Sequence, residues 1–336
     1  MGYSAAGFWN GDIPLRIALL FGAWLFSAGA LATPNEPATL DRSTWPEQLS
    51  SPTLFDVASR AEILAFSRAL LDSEGLDETA LKQRLANFKG GDLLMTIPPA
   101  PYRCPPAPYE RAMFIAWWLK TRNIPGRLII ADPNPLMPAF RNILLDRYKD
   151  QVTYLDHAKV RSVDMGRKTV STDIDEIRFD EAMLCPPQQA AELLWQAGLI
   201  RAEEGGKPSG WAAQGAIDFR SAADGRVFVI GDATGLVSPQ FGYFPKTGQV
   251  ANRMGQAVAR QIAAQASGQA PAPLLPESIC HVTTSVEPLE STRIDTSYRD
   301  RGDGFLVQTV KQTRNPSPSG EDAAWAEAMY RDFLLP

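Results

Sequence analysis

An uninterrupted apolar run, Asp92 to Ile97 (DLLMTI), lies between Gly90-Gly91 and a cluster of prolines, and predicts a strand buried on both faces at the centre of a sheet. Beyond the prolines, Ala112, Ile115, Ala116 and Leu119 recur at helical spacing and predict a helix. Pro105 and Pro106 suit the loop leading into it, because the amide hydrogens they lack are not needed there. A second apolar run, Arg127 to Asp132 (RLIIAD), predicts the next strand, and the whole reads as a βαβ unit of dinucleotide-fold type. Arg141 to Asp150 reads as a short helix. Val152 to Val163, Thr169 to Thr172 and Glu176 to Phe179 alternate around Met165-Gly166-Arg167 and predict a β-meander inserted in that fold. Glu181 to Leu184 returns to the sheet, and Pro186 to Gln189 opens a helix running to Gly198.

Further on, Gly205 to Ser221 is loop-rich, and Arg226 to Ala233 (RVFVIGDA) predicts a buried strand ending on an acidic residue. A helix over Val250 to Ala264 follows Lys246-Thr247-Gly248-Gln249. Past a linker at Gln269 to Pro276, strands are predicted over Ser278 to Pro288, around Thr292 to Tyr298 and over Gly304 to Val310. Ala323 to Phe333 closes as a helix with Trp325, Met329 and Phe333 at apolar spacing. At the other end Arg16 precedes the uncharged Ile17 to Ala32, which finishes on Ala30-Leu31-Ala32. About 16 apolar residues are short for a membrane span of about 20, and the small-x-small ending suits a signal peptidase. An exported mature chain without a transmembrane span is therefore expected, with an uncleaved anchor or a misplaced start codon as the alternatives. Asn35 to Pro52 reads as a linker. Phe55 to Leu71 and Asp77 to Phe88 read as helices, the second lined by Leu81, Leu85 and Phe88 and stopped at Lys89-Gly90-Gly91.

Composition changes this picture mainly by exclusion. The 336 residues, 45% hydrophobic and 21% charged, are ordinary globular material, enough for two domains or one with additions. A net charge of -5 gives no electrostatic footprint for nucleic acid. Two histidines and three scattered cysteines give a metal site little to build from, and no C-x-x-C-H attaches a haem. In an exported chain the cysteines permit one disulfide with one sulfur left over. Cys104 sits in the loop where glycines of a nucleotide-binding turn would cradle a pyrophosphate. PPAPYRCPP removes amide donors there, so nicotinamide binding is not expected. Arg103 reads either as an aid to a Cys104 thiolate or as a solvated charge, and His281 is a candidate to assist Cys280. Cys185 reads as a small buried apolar residue, His157 as a surface residue, and Trp117-Trp118 as core or interface.

Three separated segments, in order, carry a resemblance: IPPAPYRCPPAPYERA (Ile97 to Ala112), VFVIGDATGLVSPQFGYFPKTGQVANRMGQAVA (Val227 to Ala259) and LPESICHVTTSVEP (Leu275 to Pro288). Together they resemble the flavoprotein subunit of flavocytochrome c sulfide dehydrogenase, a relative of the sulfide:quinone reductases, over roughly residues 85 to 336. The resemblance implies an α/β, glutathione-reductase-like dinucleotide-binding fold with a small α+β C-terminal domain. It divides the chain into a signal peptide (1–32), a linker (33–54), a domain carrying the first redox cysteine (55–205), the remaining part of an FAD-binding domain (206–270) and a C-terminal domain (271–336).

By the same resemblance FAD is the cofactor, with Gly231, Asp232, Ala233, Lys246, Thr247 and Gly248 around it. Gly231 would let the chain pass close to the flavin, Asp232 would accept a hydrogen bond from a ribityl hydroxyl, and the helix after Gly248 would point its N-terminus at the cofactor. Cys104 and Cys280 would form a redox disulfide attacked by sulfide or another small sulfur compound, with a c-type cytochrome as partner and the periplasm as location. A bridge that only staples the two segments is the structural alternative. Tyr298, Trp325 and Tyr330 would belong to the part approaching the flavin and cytochrome. Met1 to Phe88 holds no strand, G-x-G-x-x-G and helix, so the FAD domain is expected to be incomplete. The alternative expectation is a non-catalytic remnant, an interaction subunit or a truncated gene model that does not bind FAD by itself.

Overall fold

The computed structural model describes residues 85–203 and 205–334; the expected signal peptide, the linker and nearly all of the two helices before Phe88 lie outside them. The strand expected at Asp92 to Ile97 is β1 (Gly91–Thr96). It pairs in parallel with β2 (Gly126–Ala131) on one side and β7 (Glu181–Met183) on the other, and β3 (Val152–Leu155) completes a four-stranded sheet in the order β3-β2-β1-β7. Its apolar run is continuous because both faces are covered. Leu93, Met95 and Ile97 point to one core with Leu128 and Ile130, while Leu94 points to another with Ile129, Ala131 and Ala182. Gly91 starts β1 at φ +101, where a Cβ would stand 2.2 Å from Asp180 Oδ2, the atom that accepts the Asp92 amide.

The first core is filled by α1 (Ala107–Thr121), which lies between the parallel sheet and a second, antiparallel sheet. That second sheet is β10 (Ser278–Val286), β11 (Leu289–Asp300) and β12 (Leu306–Asn315), with α4 (Glu321–Leu334) packed on it. Val282 and Ile294 join the α1 core, whereas Tyr298 and Leu306 join a third core with Phe219, Phe244 and the apolar face of α3 (Gly248–Ala266). The C-terminal sheet therefore clamps the cysteine loop and the α3 segment together. Asp132, fully buried at the end of β2, accepts Tyr109 Oη at 2.7 Å, Tyr154 Oη at 2.6 Å and the Asn134 amides, tying β2 to α1 and β3.

The α/β class and the central βαβ unit are as expected, and four local readings are corrected. Val152 to Leu155 belongs to the parallel sheet, so the meander that covers its second face is only β4 (Val160–Asp164), β5 (Thr169–Thr172) and β6 (Glu176–Arg178). The short helix expected over Arg141 to Asp150 is present but wound as a π-helix at Ile143–Arg147, after a 3-10 helix at Pro138–Phe140. The helix after Pro186 shrinks to α2 (Glu192–Gln196); Leu193 is 72% exposed, so this segment has no apolar face to bury against a neighbour. The loop-rich stretch from Gly205 holds a strand, β9 (Pro208–Ala212), that forms a hairpin with β8 (Ile200–Ala202) just before it.

Arg226 to Ala233 departs furthest from expectation. It is not a strand: a single bridge joins Phe228 to Arg220, and Gly231–Ala233 is a 3-10 turn. Among the described residues no neighbouring strand accepts its backbone, and only Val229 of its outer residues is buried while Val227 and Ile230 stand more than a third exposed. Among those residues, too, no helix is long and apolar enough to cross a membrane. Because Leu94 is fully buried at the sheet centre, Leu94→Ala is expected to lower stability by about 2–5 kcal/mol, read as a lower denaturant midpoint at unchanged slope.

Candidate active site around Cys104

The proline-walled loop after β1 delivers Cys104 to the N-terminus of α1 and is pinned there from outside. The Cys104 amide donates to Lys246 O at 2.8 Å, the Arg103 amide donates to Gln188 Oε1 at 2.8 Å, and Ala107 N–H donates to Cys104 O at 2.9 Å. Cys104 takes φ +53, a left-handed conformation that a non-glycine residue keeps only where its surroundings hold it. Cys280 arrives on β10, on the face that packs against the α1 core. Strand alternation sends His281 to the opposite face, where its ring lies 5.8 Å from that of Trp325. His281 is thus not beside the Cys280 sulfur. His157 lies in an exposed turn and Trp118 in the core, while Trp117 Nε1 donates to Glu287 Oε2 at 3.3 Å.

All three cysteines are free thiols in this structure. Burial is the first cause in each case and pushes the Cys104 thiol up to about 11 and the fully enclosed Cys185 thiol up to about 12. Cys280 is pushed higher still, by burial and then by the charges of Cys104 and Glu110, so the two sulfurs sense one another. Around Cys104 the carboxylate of Glu110 also opposes the thiolate, while the Ala107 amide, Arg111 and Arg103 favour it in decreasing order. Arg103, the residue sequence points to, is the weakest of these because its guanidinium turns away: Nε pairs with Asp232 Oδ2 at 2.5 Å.

Glu110 and Arg111 were not anticipated. Both are buried on α1, Glu110 to 5% exposure, and its Oε1 accepts the Thr283 amide at 2.6 Å, joining the helix to the strand that bears Cys280. Burial pushes the carboxyl up to about 7, against the Thr283 hydrogen bond, and pulls Arg111 down to about 10 against the charges of Cys185, Cys104 and Glu110. The signal that could have found them is the character of the helix itself. A helix reading MFIAWWL is apolar all round and must be covered on all sides, so an adjacent Glu-Arg pair in its first turns cannot reach water.

The expected cofactor residues gather at the same end. Gly231 takes φ +66 in the 3-10 turn with Asp232 and Ala233, close against α3. Lys246 is 3% exposed: Nζ donates to Asp232 O at 2.7 Å and Thr234 O at 2.8 Å and stands 3.6 Å from the centre of the Trp211 ring. Burial pulls its ammonium down to about 7, with Asp232 opposing. Thr247 caps α3 by accepting the Val250 amide at 3.2 Å, Gly248 begins the helix, and Gln249 Oε1 accepts the Ile279 amide at 2.8 Å, next to Cys280. Gln214 contributes a buried side-chain amide nitrogen with no partner, beside Gly235.

A carboxylate already holding a donor, an unpartnered buried amide and a helix N-terminus fit the ring and polyol end of a flavin. For a pyrophosphate the described residues offer only the proline-walled β1–α1 turn, which is poor in donors.

Residues 78–186, about a third of the chain, match the family model described as the central part of the sulfide dehydrogenase (flavocytochrome c) flavoprotein chain. The matched segment includes Cys104 and the β1–α1–β2 unit. A chain in the cryo-EM structure of Tetrahymena thermophila mitochondrial ATP synthase is 13% identical, with a TM-score of 0.50 and coverage of 79% of this chain and 62% of that one. An FAD-dependent pyridine nucleotide-disulphide oxidoreductase from Desulfovibrio vulgaris is 16% identical (TM-score 0.40, coverage 78% and 69%). An NAD-dependent persulfide reductase from A. fulgidus is 11% identical (TM-score 0.43, coverage 72% and 46%). The chain spans less than two thirds of the first and third of these, and at 13% identity the likeness to the first is one of fold alone.

Glu110 makes stability depend on pH. A carboxyl whose pKa rises from 4.5 to about 7 on folding holds its proton longer in the folded chain, so its contribution is full below pH 4.5 and is lost as pH rises through about 7. Glu110→Gln is expected to match the wild type at pH 4.5 and to exceed it by up to about 3 kcal/mol at pH 8, in denaturant titrations at both pH values.

Proposed function

We propose that this chain is the cysteine-bearing, flavin-dependent chain of a sulfide dehydrogenase-type oxidoreductase, exported and working with a c-type cytochrome. The observation that carries the reading is that Cys104 and Cys280, from distant segments, lie within electrostatic reach, with Glu110 acting on both sulfurs and the Asp232 and Lys246 segment fastened to the Cys104 loop. In the oxidised state the two sulfurs are joined. A disulfide carries no charge, so the burial that raises both thiols penalises only the reduced, ionised form.

Hydrosulfide attacking the Cys280 sulfur forms a new S–S bond, leaves a persulfide on Cys280 and expels Cys104 as a thiolate. Cys104 is the better leaving group because the Ala107 amide, Arg111 and Arg103 favour its anion, and the leaving thiol of lower pKa departs faster. The hydrosulfide proton stays on the persulfide, and Glu110, ionising about 7, is the buried group available to take it up when the persulfide ionises. A bound flavin supplies the two-electron acceptor. Asp232, Gly231, Ala233 and the capped start of α3 would hold its polyol and ring, with Lys246 fixing the Asp232 turn rather than meeting the cofactor as a free cation. The export signal read over Ile17 to Ala32 supports a periplasmic location.

A second reading, an interaction chain that borrows its flavin or carries none, is favoured by the donor-poor β1–α1 turn. Purified protein mixed with FAD and freed of excess separates the two. Retained flavin bands that bleach on adding sulfide are expected; colourless protein decides for the interaction chain. Cys280→Ser is expected to keep the bands, lose the bleaching and cut sulfide-dependent cytochrome c reduction roughly a hundredfold or more, and unchanged turnover would remove the cysteine pair from the reaction.

A further inference from the structure

Asp232 is held in place twice over without help from Arg103. Lys246 Nζ grips its carbonyl and that of Thr234, and the Gly231 amide donates to Met254 Sδ at 3.0 Å. The Cys104 loop is likewise fixed through its own backbone, by Lys246 O and Gln188 Oε1. The Arg103–Asp232 ion pair therefore spans two elements that are each positioned independently. Its side chains are 43% and 26% exposed, so the guanidinium can leave for water at little desolvation cost. A charge-assisted bond at 2.5 Å nevertheless takes up the carboxylate oxygen Oδ2, on the residue assigned to the cofactor polyol.

We propose that Arg103 is a built-in competitor for the flavin: its guanidinium closes the Asp232 carboxylate in the cofactor-free chain and must swing out for the polyol to bind. This rests on the assignment of Asp232 to the flavin made above. The contact links the residue next to the Cys104 sulfur to the occupancy of the site, because a ligand on the Asp232 carboxylate shifts Arg103 toward its released position. The competition is electrostatic, so raised salt weakens the closed state and favours binding to the wild type.

The test uses the full chain with FAD and, separately, riboflavin, which keeps the ring and polyol and lacks the phosphates. Dissociation constants are read from quenching of flavin fluorescence. Arg103→Gln is expected to bind both ligands roughly two- to fivefold more tightly than the wild type, the scale of a partly exposed ion pair, and to lose the salt dependence. Arg103→Lys, which keeps a cation opposite Asp232, is expected to stay near the wild type. Equal or weaker riboflavin binding by Arg103→Gln overturns the competition and leaves the flavin assignment standing; a loss confined to FAD does so too, and would put Arg103 at the phosphates. Failure of both flavins to bind wild type and variants alike overturns the flavin assignment together with the competition.

Discussion

The enclosure of α1 on both sides is the constraint from which the rest of the structure follows. Its residues face the parallel sheet through Leu93, Met95, Leu128 and Ile130, and the C-terminal sheet through Val282 and Ile294. A helix so covered begins at a buried residue, Pro106, and the half-buried Cys104 stands two positions before it. The strand laid across the helix carries Cys280, so one packing decision brings Cys280 within electrostatic reach of Cys104 and buries Glu110 and Arg111 on the same helix. Had α1 been a surface helix, the Glu-Arg pair would be solvated and the thiols would titrate near their ordinary values.

The same burial sets the electrostatic character of the site. Thiols, carboxyl, guanidinium and ammonium are all shifted toward their neutral forms, with desolvation the leading cause for each. Such a place favours the uncharged disulfide over the thiolate pair until something supplies compensating charge. The groups able to do so are already present: the start of α1, Arg111 and the exchangeable proton of Glu110. At the other end of the site charge is handled differently, by pairing. Asp232 keeps Arg103, and Lys246 keeps two carbonyls and the face of Trp211.

Much of this was legible in sequence, and unevenly. Short continuous apolar runs gave β1 and β2 correctly, since nothing but a two-sided sheet buries DLLMTI or RLIIA without a polar break. Alternation misled at Val152 to Leu155, because an edge strand of the parallel sheet and a meander strand look alike in a four-residue window. Arg226 to Ile230 has the composition of a central strand, yet its backbone meets only the short Phe219–Ser221 segment through one bridge, and among the described residues no sheet extends that pairing. The brief helix after Pro186 failed for the parallel reason that its apolar residues found nothing to cover.

Sequence by itself determined the strands β1 and β2, the helix α1 between them, the loop that isolates Cys104, and the residue types available for chemistry. These depend on backbone preferences and apolar periodicity, which act over a few residues. Only the tertiary structure decided which charges are buried and what they meet: Arg103 on Asp232 rather than on the thiol, Glu110 on Thr283, Lys246 under Trp211, and His281 on the far side of its strand from the work of Cys280. Desolvation and pairing depend on segments more than a hundred residues apart, and no local pattern reports them.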